Sequence, residues 1–141
     1  MKVSDILQKK GSAVYSVSSN QSVLDALKLM SEKNIGAVPV IDNDNLVGIL
    51  SERDYARKII LKGKASHDTP VNEIMTASPF TIDPDDKLDA CMALMSDKKI
   101  RHLPVAKDKK VVGMISVGDV VTAIIESQKE MITHLQNYLS L

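Results

Sequence analysis

The chain is poor in several residue types, and each shortage excludes a class of protein. Only one of its 141 residues, Cys91, is a cysteine, so an intrachain disulfide is impossible. Aromatic residues make up 3% and tryptophan is absent, which leaves few rings on which single-stranded nucleic acid could stack. Basic and acidic side chains number 18 each, so the chain lacks the positive charge of a nucleic-acid-binding protein. Nucleic acid is therefore not expected as a partner.

Long hydrophobic runs are also missing. No apolar run approaches the roughly 20 residues that span a bilayer, so the sequence predicts no membrane partner. The residues that follow Met1 do not form the apolar core of a signal peptide, and we expect a cytoplasmic protein. Apolar residues still make up 44% of the chain, enough for a core of aliphatic side chains and methionine. We expect Cys91 to lie in that core as a small hydrophobe rather than to act as a reactive thiol.

One sequence pattern occurs twice, at residues 35–54 and 100–119. In both copies an apolar run with a proline is followed by a polar turn, a second apolar run with a central glycine, and Ser-x-x-Asp. Matching residues are 65 positions apart, as the prolines (104 − 39) and the aspartates (119 − 54) illustrate. Each copy predicts two strands joined by a short turn and followed by a helix start. The chain is therefore two copies of one unit.

The sequence around these copies divides the chain into three parts. A polar connector over residues 62–70 is typical of a boundary. We assign residues 1–66 to repeat 1, 67–126 to repeat 2 and 127–141 to a C-terminal helix extension. Each repeat also predicts a short helical lead-in and an amphipathic helix, the first of which begins with a capping box at Ser22.

Two further helices are predicted after the repeated pattern. A helix over residues 53–61 is expected to turn three side chains inward, namely Tyr55, Ile59 and Ile60. A longer helix over residues 118–138 has an apolar stripe with a period close to 3.5 residues. The stripe consists of Val117, Val121, Ile124, Met131, Leu135 and Tyr138, with Gln128 interrupting it. Because the stripe continues beyond the repeat, it predicts a partner surface, and we expect a homodimer.

The repeated pattern resembles the cystathionine-β-synthase (CBS) motif, and two copies in tandem resemble a Bateman module. The shared pattern is apolar-x-x-apolar-Pro-apolar, then apolar-apolar-Gly-apolar-apolar-Ser-x-x-Asp, and the resemblance covers nearly the whole chain. It implies an α/β (α+β) fold in which the repeats form a pseudo-twofold pair, each a small sheet with two flanking helices. The copies differ where Gly36 and Ala37 stand in place of Arg101 and His102.

The resemblance also implies a function. It suggests a stand-alone regulatory sensor of energy or redox state that binds an adenosine-containing ligand (AMP, ADP, ATP, NAD or S-adenosylmethionine) without a metal and signals to a regulated protein partner. In related modules the Asp of Ser-x-x-Asp binds the ribose and the Ser lies near the phosphate, while residues at the positions of Arg101 and His102 face the phosphates. The ligand-binding residues that we expect are Val17, Gly36, Ala37, Val38, Pro39, Ser51, Arg53, Asp54, Arg101, His102, Leu103, Pro104, Ile115, Ser116 and Asp119.

Simpler interpretations of the same residues remain open. Ser-x-x-Asp also forms a helix cap, although a helix N-terminus is equally an anion site. The mid-strand glycines Gly48 and Gly113 fit either a bound ligand or close packing between the repeats. Two other functions compete, a structural dimerisation module whose clefts between the two repeats stay empty, and a nucleic-acid-binding regulator. No nucleophile motif, P-loop or dinucleotide fingerprint is present, so no enzyme activity is expected.

Overall fold

The computed structural model of the chain describes residues 1–140, which form two halves of similar build. The helices are α1 (Val3–Lys10), α2 (Val23–Lys33), α3 (Glu52–Tyr55), α4 (Leu88–Lys98) and α5 (Val117–Leu139). The strands are β1 (Ala37–Asp42), β2 (Asn45–Ser51), β3 (Thr76–Ala77), β4 (His102–Lys107) and β5 (Lys110–Ser116). A π-helical segment (Ala56–Ile60) follows α3, and a 3₁₀ turn (Val71–Glu73) precedes β3. This is the predicted mixed arrangement of two small sheets with flanking helices.

Each half is centred on an antiparallel hairpin, β1–β2 in the first and β4–β5 in the second. The two residues of the first turn, Asn43 and Asp44, have φ angles of 50° and 64°, and those of the second, Asp108 and Lys109, have 51° and 67°. Positive φ at both central residues is the type I′ geometry, whose twist matches that of the flanking strands. The predicted strand, turn and strand are therefore present in both copies.

The strand prolines lie where a missing N–H costs nothing. The Glu52 N–H donates to the Gly36 carbonyl, and because hydrogen-bonded pairs alternate along an antiparallel ladder, the backbone groups of Pro39 point away from β2. The Pro39 carbonyl accepts instead from the N–H of Val17 at 3.2 Å. Pro104 takes the same position in the second hairpin. Each proline thus sits on the edge where an isolated bridge, rather than a full strand, completes the sheet.

The two hydrophobic cores exchange their lead-in segments. Val3, Ile6 and Leu7 of α1 are buried in the core of the second half, whereas Val71 and Ile74 are buried in the core of the first. The backbone bridges Lys2–Lys87 and Ser22–Pro70 anchor the same exchange. Each core therefore contains residues of both sequence repeats. The division into residues 1–66 and 67–126 applies to the sequence, and as a division into domains it stays a prediction.

The mid-strand glycines Gly48 and Gly113 lie where an exchanged lead-in segment packs closely against each hairpin. A methyl group on Gly113 would lie 2.7 Å from Leu7 Cδ2, and one on Gly48 would lie 2.5 Å from Met75 Sδ and 3.0 Å from the Thr76 carbonyl oxygen. Both contacts are closer than packed atoms allow. Of the two explanations left open by the sequence, packing between the repeats accounts for both glycines.

The helix after the first hairpin departs from the prediction. Tyr55 is half-buried and Ile59 is buried, but Ile60 is 58% exposed, so the prediction that Ile60 packs inward is wrong. The Leu61 N–H donates to the Ala56 carbonyl, five residues back, at 3.2 Å. This wider π-helical turn changes the angle between successive side chains and rotates Ile60 out of the core.

The helices α2, α4 and α5 follow their predictions more closely. Ser22 Oγ accepts from the Asp25 N–H at 3.1 Å, which confirms the predicted cap of α2. Cys91 of α4 is buried, and burial together with the charge of Asp86 raises the pKa of its thiol to about 11, as expected of an inert residue. On α5, residues 128–139 are exposed throughout. No helix within residues 1–140 combines the length and apolar character that a bilayer crossing requires.

Candidate functional site

Both Ser-x-x-Asp segments form a complete capping box at the start of a helix. At α3, Ser51 N–H donates to Asp54 Oδ2 (3.0 Å) and Asp54 N–H donates to Ser51 Oγ (3.2 Å). At α5, the same pair of bonds joins Ser116 and Asp119 at 2.8 and 3.1 Å. The cap predicted from the sequence is therefore confirmed at both positions. A cap and an anion site need the same local geometry, so the ligand role of these residues stays a prediction.

Asp119 also binds a cation that comes from the other repeat of the sequence. Lys10, the last residue of α1, donates from Nζ to Asp119 Oδ2 at 2.7 Å and to the Met114 carbonyl at 2.9 Å. Burial acts to raise the pKa of Asp119, but the hydrogen bonds from Lys10 and the Ser116 N–H and the charge of Lys10 together lower it. Asp119 is thus a half-buried carboxylate that is ionised at neutral pH.

The lysine reaches Met114 because, within residues 1–140, the second sheet has two strands where the first has three. In the first sheet, β3 pairs with the free edge of β2, where Ile49 lies opposite Thr76. Ile49 corresponds to Met114 by the 65-residue offset. In the second half the equivalent lead-in stays helical up to Lys10, so its ammonium group, rather than a backbone N–H, satisfies the Met114 carbonyl.

The carboxylate of the first half has a different partner. Lys58 Nζ lies 3.3 Å from Asp54 Oδ1, one turn along the same helical segment, and donates to the Ile74 carbonyl at 2.8 Å. Both carboxylates therefore carry an ammonium group that also binds a backbone carbonyl. The Asp119 site, which we define as Lys10, Arg101, His102, Ser116 and Asp119, draws its lysine from the exchanged helix. The Asp54 site, defined as Gly36, Ser51, Arg53, Asp54 and Lys58, draws its lysine from the adjoining turn.

His102 lies between the two halves rather than wholly at one site. A methyl group on Gly36 would lie 3.2 Å from His102 Nε2 and 3.5 Å from Glu52 Oε1. Burial is the main cause that lowers the pKa of His102, and Lys10 and Arg101 lower it further, against the opposing effect of Glu52 and Asp119. Gly36, which offers no side chain at the position of Arg101, is thus also the residue that makes room for the imidazole.

The remaining predicted ligand residues fall into two groups. Arg53 and Arg101 are exposed at the helix start and before β4. The apolar ones are buried within the hairpin cores, and these are Val17, Ala37, Val38, Pro39, Leu103, Pro104 and Ile115. Because hydrogen-bonded pairs alternate along the ladder, the backbone N–H and carbonyl of Val38 bind β2, and those of Leu103 bind β5. A ligand near these two residues would therefore have to bind the backbone groups of their neighbours.

Sequence reasoning missed three charged residues at these sites. Lys58 follows Asp54 by four positions on a helix, a spacing that brings side chains together, so a sequence signal for it existed. Glu52 follows Ser51 directly but turns toward Gly36. Lys10 is separated from Asp119 by 109 residues, and no local pattern indicates that contact.

Other candidate sites are less developed. Cavities of about 310 Å³, beside Lys129 and His134, and about 220 Å³, beside Met1 and Lys87, lie along α5 and include none of the predicted ligand residues. Within residues 1–140, no three His, Cys, Asp or Glu side chains are grouped so as to hold a metal ion.

Known proteins resemble this chain over nearly its whole length. The family model described as CBS domain matches residues 3–61 and 71–126. The chain is 39% identical, over 146 aligned positions, to the CBS domain-containing protein CBSX3, mitochondrial, of Arabidopsis thaliana. The alignment covers 97% of this chain and 71% of that protein.

Solved structures show the same likeness. A protein described as a signal-transduction protein with CBS domains, from Burkholderia ambifaria MC40-6, matches with a TM-score of 0.86 and 46% identity over 91% of this chain and 96% of that chain. The CBS domain pair of protein MJ0100, solved in complex with 5′-methylthioadenosine and S-adenosyl-L-methionine, matches with a TM-score of 0.81 and 29% identity over 90% and 98% of the two chains.

The sequence pattern, the paired hairpins and these matches agree. The resemblance and the fold class predicted from the repeated motif are confirmed. The chain belongs to the CBS domain family and contains two CBS domains in tandem.

Proposed function

We propose that this CBS-domain pair binds an adenosine-containing nucleotide and changes the activity or assembly of a protein partner in response. The observation that carries the proposal is Asp119, an ionised, half-buried carboxylate at the N-terminus of α5 with basic side chains around it. A carboxylate accepts hydrogen bonds from a ribose diol, while a helix N-terminus and Arg101 suit a phosphate. The neighbour solved with two adenosine compounds supports the ligand class, and AMP, ADP, ATP and NAD are the candidates.

The regulatory step needs a ligand that distinguishes two states of the protein. Binding shifts an equilibrium only by the difference in affinity for the two states. The Asp119 site includes His102, whose ring lies against Gly36 of the first half. A ligand at this site that moves His102 would therefore change the contacts between the halves, and this change could be passed to a partner protein.

A thermal-shift panel followed by calorimetry tests the proposal. A ligand bound only by the native state raises the melting temperature, so AMP, ADP, ATP, NAD or S-adenosylmethionine should do so, and uridine and cytidine nucleotides should not. We expect micromolar affinity for at least one adenine compound. Silence from all of them would overturn the proposal.

A structural dimerisation module is the second candidate, and one observation favours it. Asp54 and Asp119 each form a helix cap and an ion pair with a lysine of the same chain, so contacts within the chain already stabilise both carboxylates. Protein purified under gentle conditions separates the candidates, since co-purified adenine absorbance would favour the first and its absence together with a silent panel the second.

A homodimer is part of the proposal under either candidate. The exposed side chains of α5 include Met131 (64%), Leu135 (54%) and Tyr138 (72%), and an apolar stripe of this length is stabilised by a partner helix face. Sedimentation should show a dimer at micromolar concentration, and truncation after Glu126 should weaken it while each half still folds. A truncated chain that dimerises as tightly as the full chain would exclude α5 as the interface.

Two further elements of the proposal concern context. We propose a binding role without catalysis, and a cytosolic location. The relative from Arabidopsis thaliana is named as mitochondrial, so fractionation of cells that express the chain is the relevant measurement.

A further inference from the structure

Lys10 forms an ion pair with Asp119, the carboxylate that we propose binds the ribose of the ligand. Its ammonium lies 2.7 Å from Asp119 Oδ2, the same oxygen that accepts the Ser116 N–H. The Lys10 side chain is 37% exposed and that of Asp119 is 25% exposed, so the pair borders solvent and is open to an incoming molecule. Any ribose that binds Asp119 must therefore share this carboxylate with Lys10 or displace it.

The cost of displacement depends on what the ligand carries. A ribose diol donates hydrogen bonds but brings no charge, so it cannot replace the attraction between an ammonium and a carboxylate. A phosphate can compensate, because it offers the displaced ammonium a new anionic partner. The lysine side chain is long and flexible, and its Nζ can move by several ångströms, on the order of its own length, while α1 stays in place.

The surroundings of Lys10 favour such a move. His102 lies opposite Ser116 in the β4–β5 ladder, the Arg101 carbonyl accepts from the Val117 N–H, and Lys10 donates to Asp119. All three residues therefore lie at the start of α5. A phosphate near the N-terminus of this helix would thus lie within reach of Lys10. Lys58 of the Asp54 site is placed differently, one turn beyond its carboxylate on the same helical segment.

We propose that Lys10 makes the Asp119 site selective for phosphorylated adenosines over neutral or cationic ones, by leaving Asp119 when a ribose binds and pairing with the phosphate. The inference rests on the proposed function and deepens it, since it names the chemical class of ligand. AMP and other adenosine phosphates are favoured. Adenosine, which lacks the phosphate, and S-adenosylmethionine, which carries a sulfonium cation, are disfavoured.

Calorimetry with AMP, adenosine and S-adenosylmethionine on the wild type, Lys10→Met, Lys10→Arg and Lys9→Met tests the inference. Lys9 is the matched control because it neighbours Lys10 but pairs with the exposed Glu126 at 3.2 Å. In the wild type AMP should bind more tightly than adenosine. Lys10→Met should weaken AMP and tighten adenosine and S-adenosylmethionine, reducing the preference for AMP by about tenfold or more. Lys10→Arg should keep most of the preference, and Lys9→Met all of it.

The outcomes separate this inference from the function on which it rests. If the wild type binds none of these three compounds and none of ADP, ATP and NAD, the proposed function fails and the inference fails with it. If the wild type binds but Lys10→Met shifts AMP and adenosine by the same factor, or behaves like Lys9→Met, only the inference is overturned. Unchanged melting temperatures of the ligand-free variants, within a few degrees, confirm that the comparison is made on folded protein.

Discussion

The two halves of the molecule have the same hairpin, the same turn geometry and the same capping box, yet their carboxylates are held by different means. In the first half a third strand, β3, completes the sheet, and Asp54 pairs with Lys58 of its own helical segment. In the second half the sheet has two strands, and Asp119 pairs with Lys10 of the exchanged helix. A duplicated unit can thus keep its fold while its two sites acquire different electrostatics, because one lysine comes from an exchanged lead-in and the other from the helical segment after the hairpin.

Removal of each carboxylate charge should give the largest difference in ligand affinity between the two halves. Asn at position 119 keeps an oxygen for the cap but loses the charge that strengthens its bonds to a ribose. Two charge-assisted hydrogen bonds at about 1.5 kcal/mol each correspond to roughly 100-fold in affinity. Asp119→Asn should therefore abolish the tighter binding event in an AMP titration, whereas Asp54→Asn should remove only a weaker one.

Equal losses from the two variants would show that the sites are equivalent. If neither variant loses affinity, Ser-x-x-Asp serves only as a helix cap in this chain.

Substitution of the two mid-strand glycines should lower the free energy of unfolding by different amounts in the two halves. A methyl group on Gly48 meets Met75 and the Thr76 backbone, whereas one on Gly113 meets only the flexible end of Leu7. Overpacking costs about 1–3 kcal/mol, so Gly48→Ala should lie near the upper end of this range and Gly113→Ala near the lower end. Urea unfolding measures both free energies, and the reverse order would mean that α1 is held more rigidly than β3.

Arg101 tests the difference in phosphate donors. The first half has Gly36 at the matching position, which offers no side chain to a ligand. Loss of one charge-assisted bond from Arg101→Ala should weaken AMP binding at the tighter site by about tenfold, with adenosine unaffected. A variant that binds AMP as well as the wild type would identify Arg101 as a solvated surface residue.

His102 gives the smallest expected effect, and its direction follows from the lowered pKa. A lowered pKa means that folding favours the neutral imidazole, so this contribution to stability is present above the unfolded value near 6.5 and is lost as the pH falls through the folded value. Between neutral pH and about pH 5, the wild type should lose more stability than His102→Gln. A protonated His102 could also strengthen phosphate binding. The sequence alone predicts this gain near pH 6.5, whereas the lowered pKa moves it below pH 6.5.

A wild type and a His102→Gln variant with parallel stability profiles would contradict the burial of this ring between the halves. The measurement is chemical unfolding at a series of pH values, which reports the free energy of unfolding directly.

The elements that repeat locally were predictable from the sequence. Hairpins, turns and caps depend on residues a few positions apart, so Pro39, Ser51 and their counterparts indicated them correctly. The π-helical turn that exposes Ile60 was not predictable, because one wider turn changes the phase of the apolar pattern without changing its residues. The contact between Lys10 and Asp119 was not predictable either, since it depends on the exchange of lead-ins between halves.

The most direct test of the account is a crystal structure of the protein with one molar equivalent of AMP. We predict density for the nucleotide at the Asp119 site alone, with the ribose hydroxyls on the Asp119 carboxylate and Lys10 turned from Asp119 to the phosphate. Nucleotide at the Asp54 site first, at both sites equally, or at Asp119 with the Lys10–Asp119 ion pair intact would contradict it.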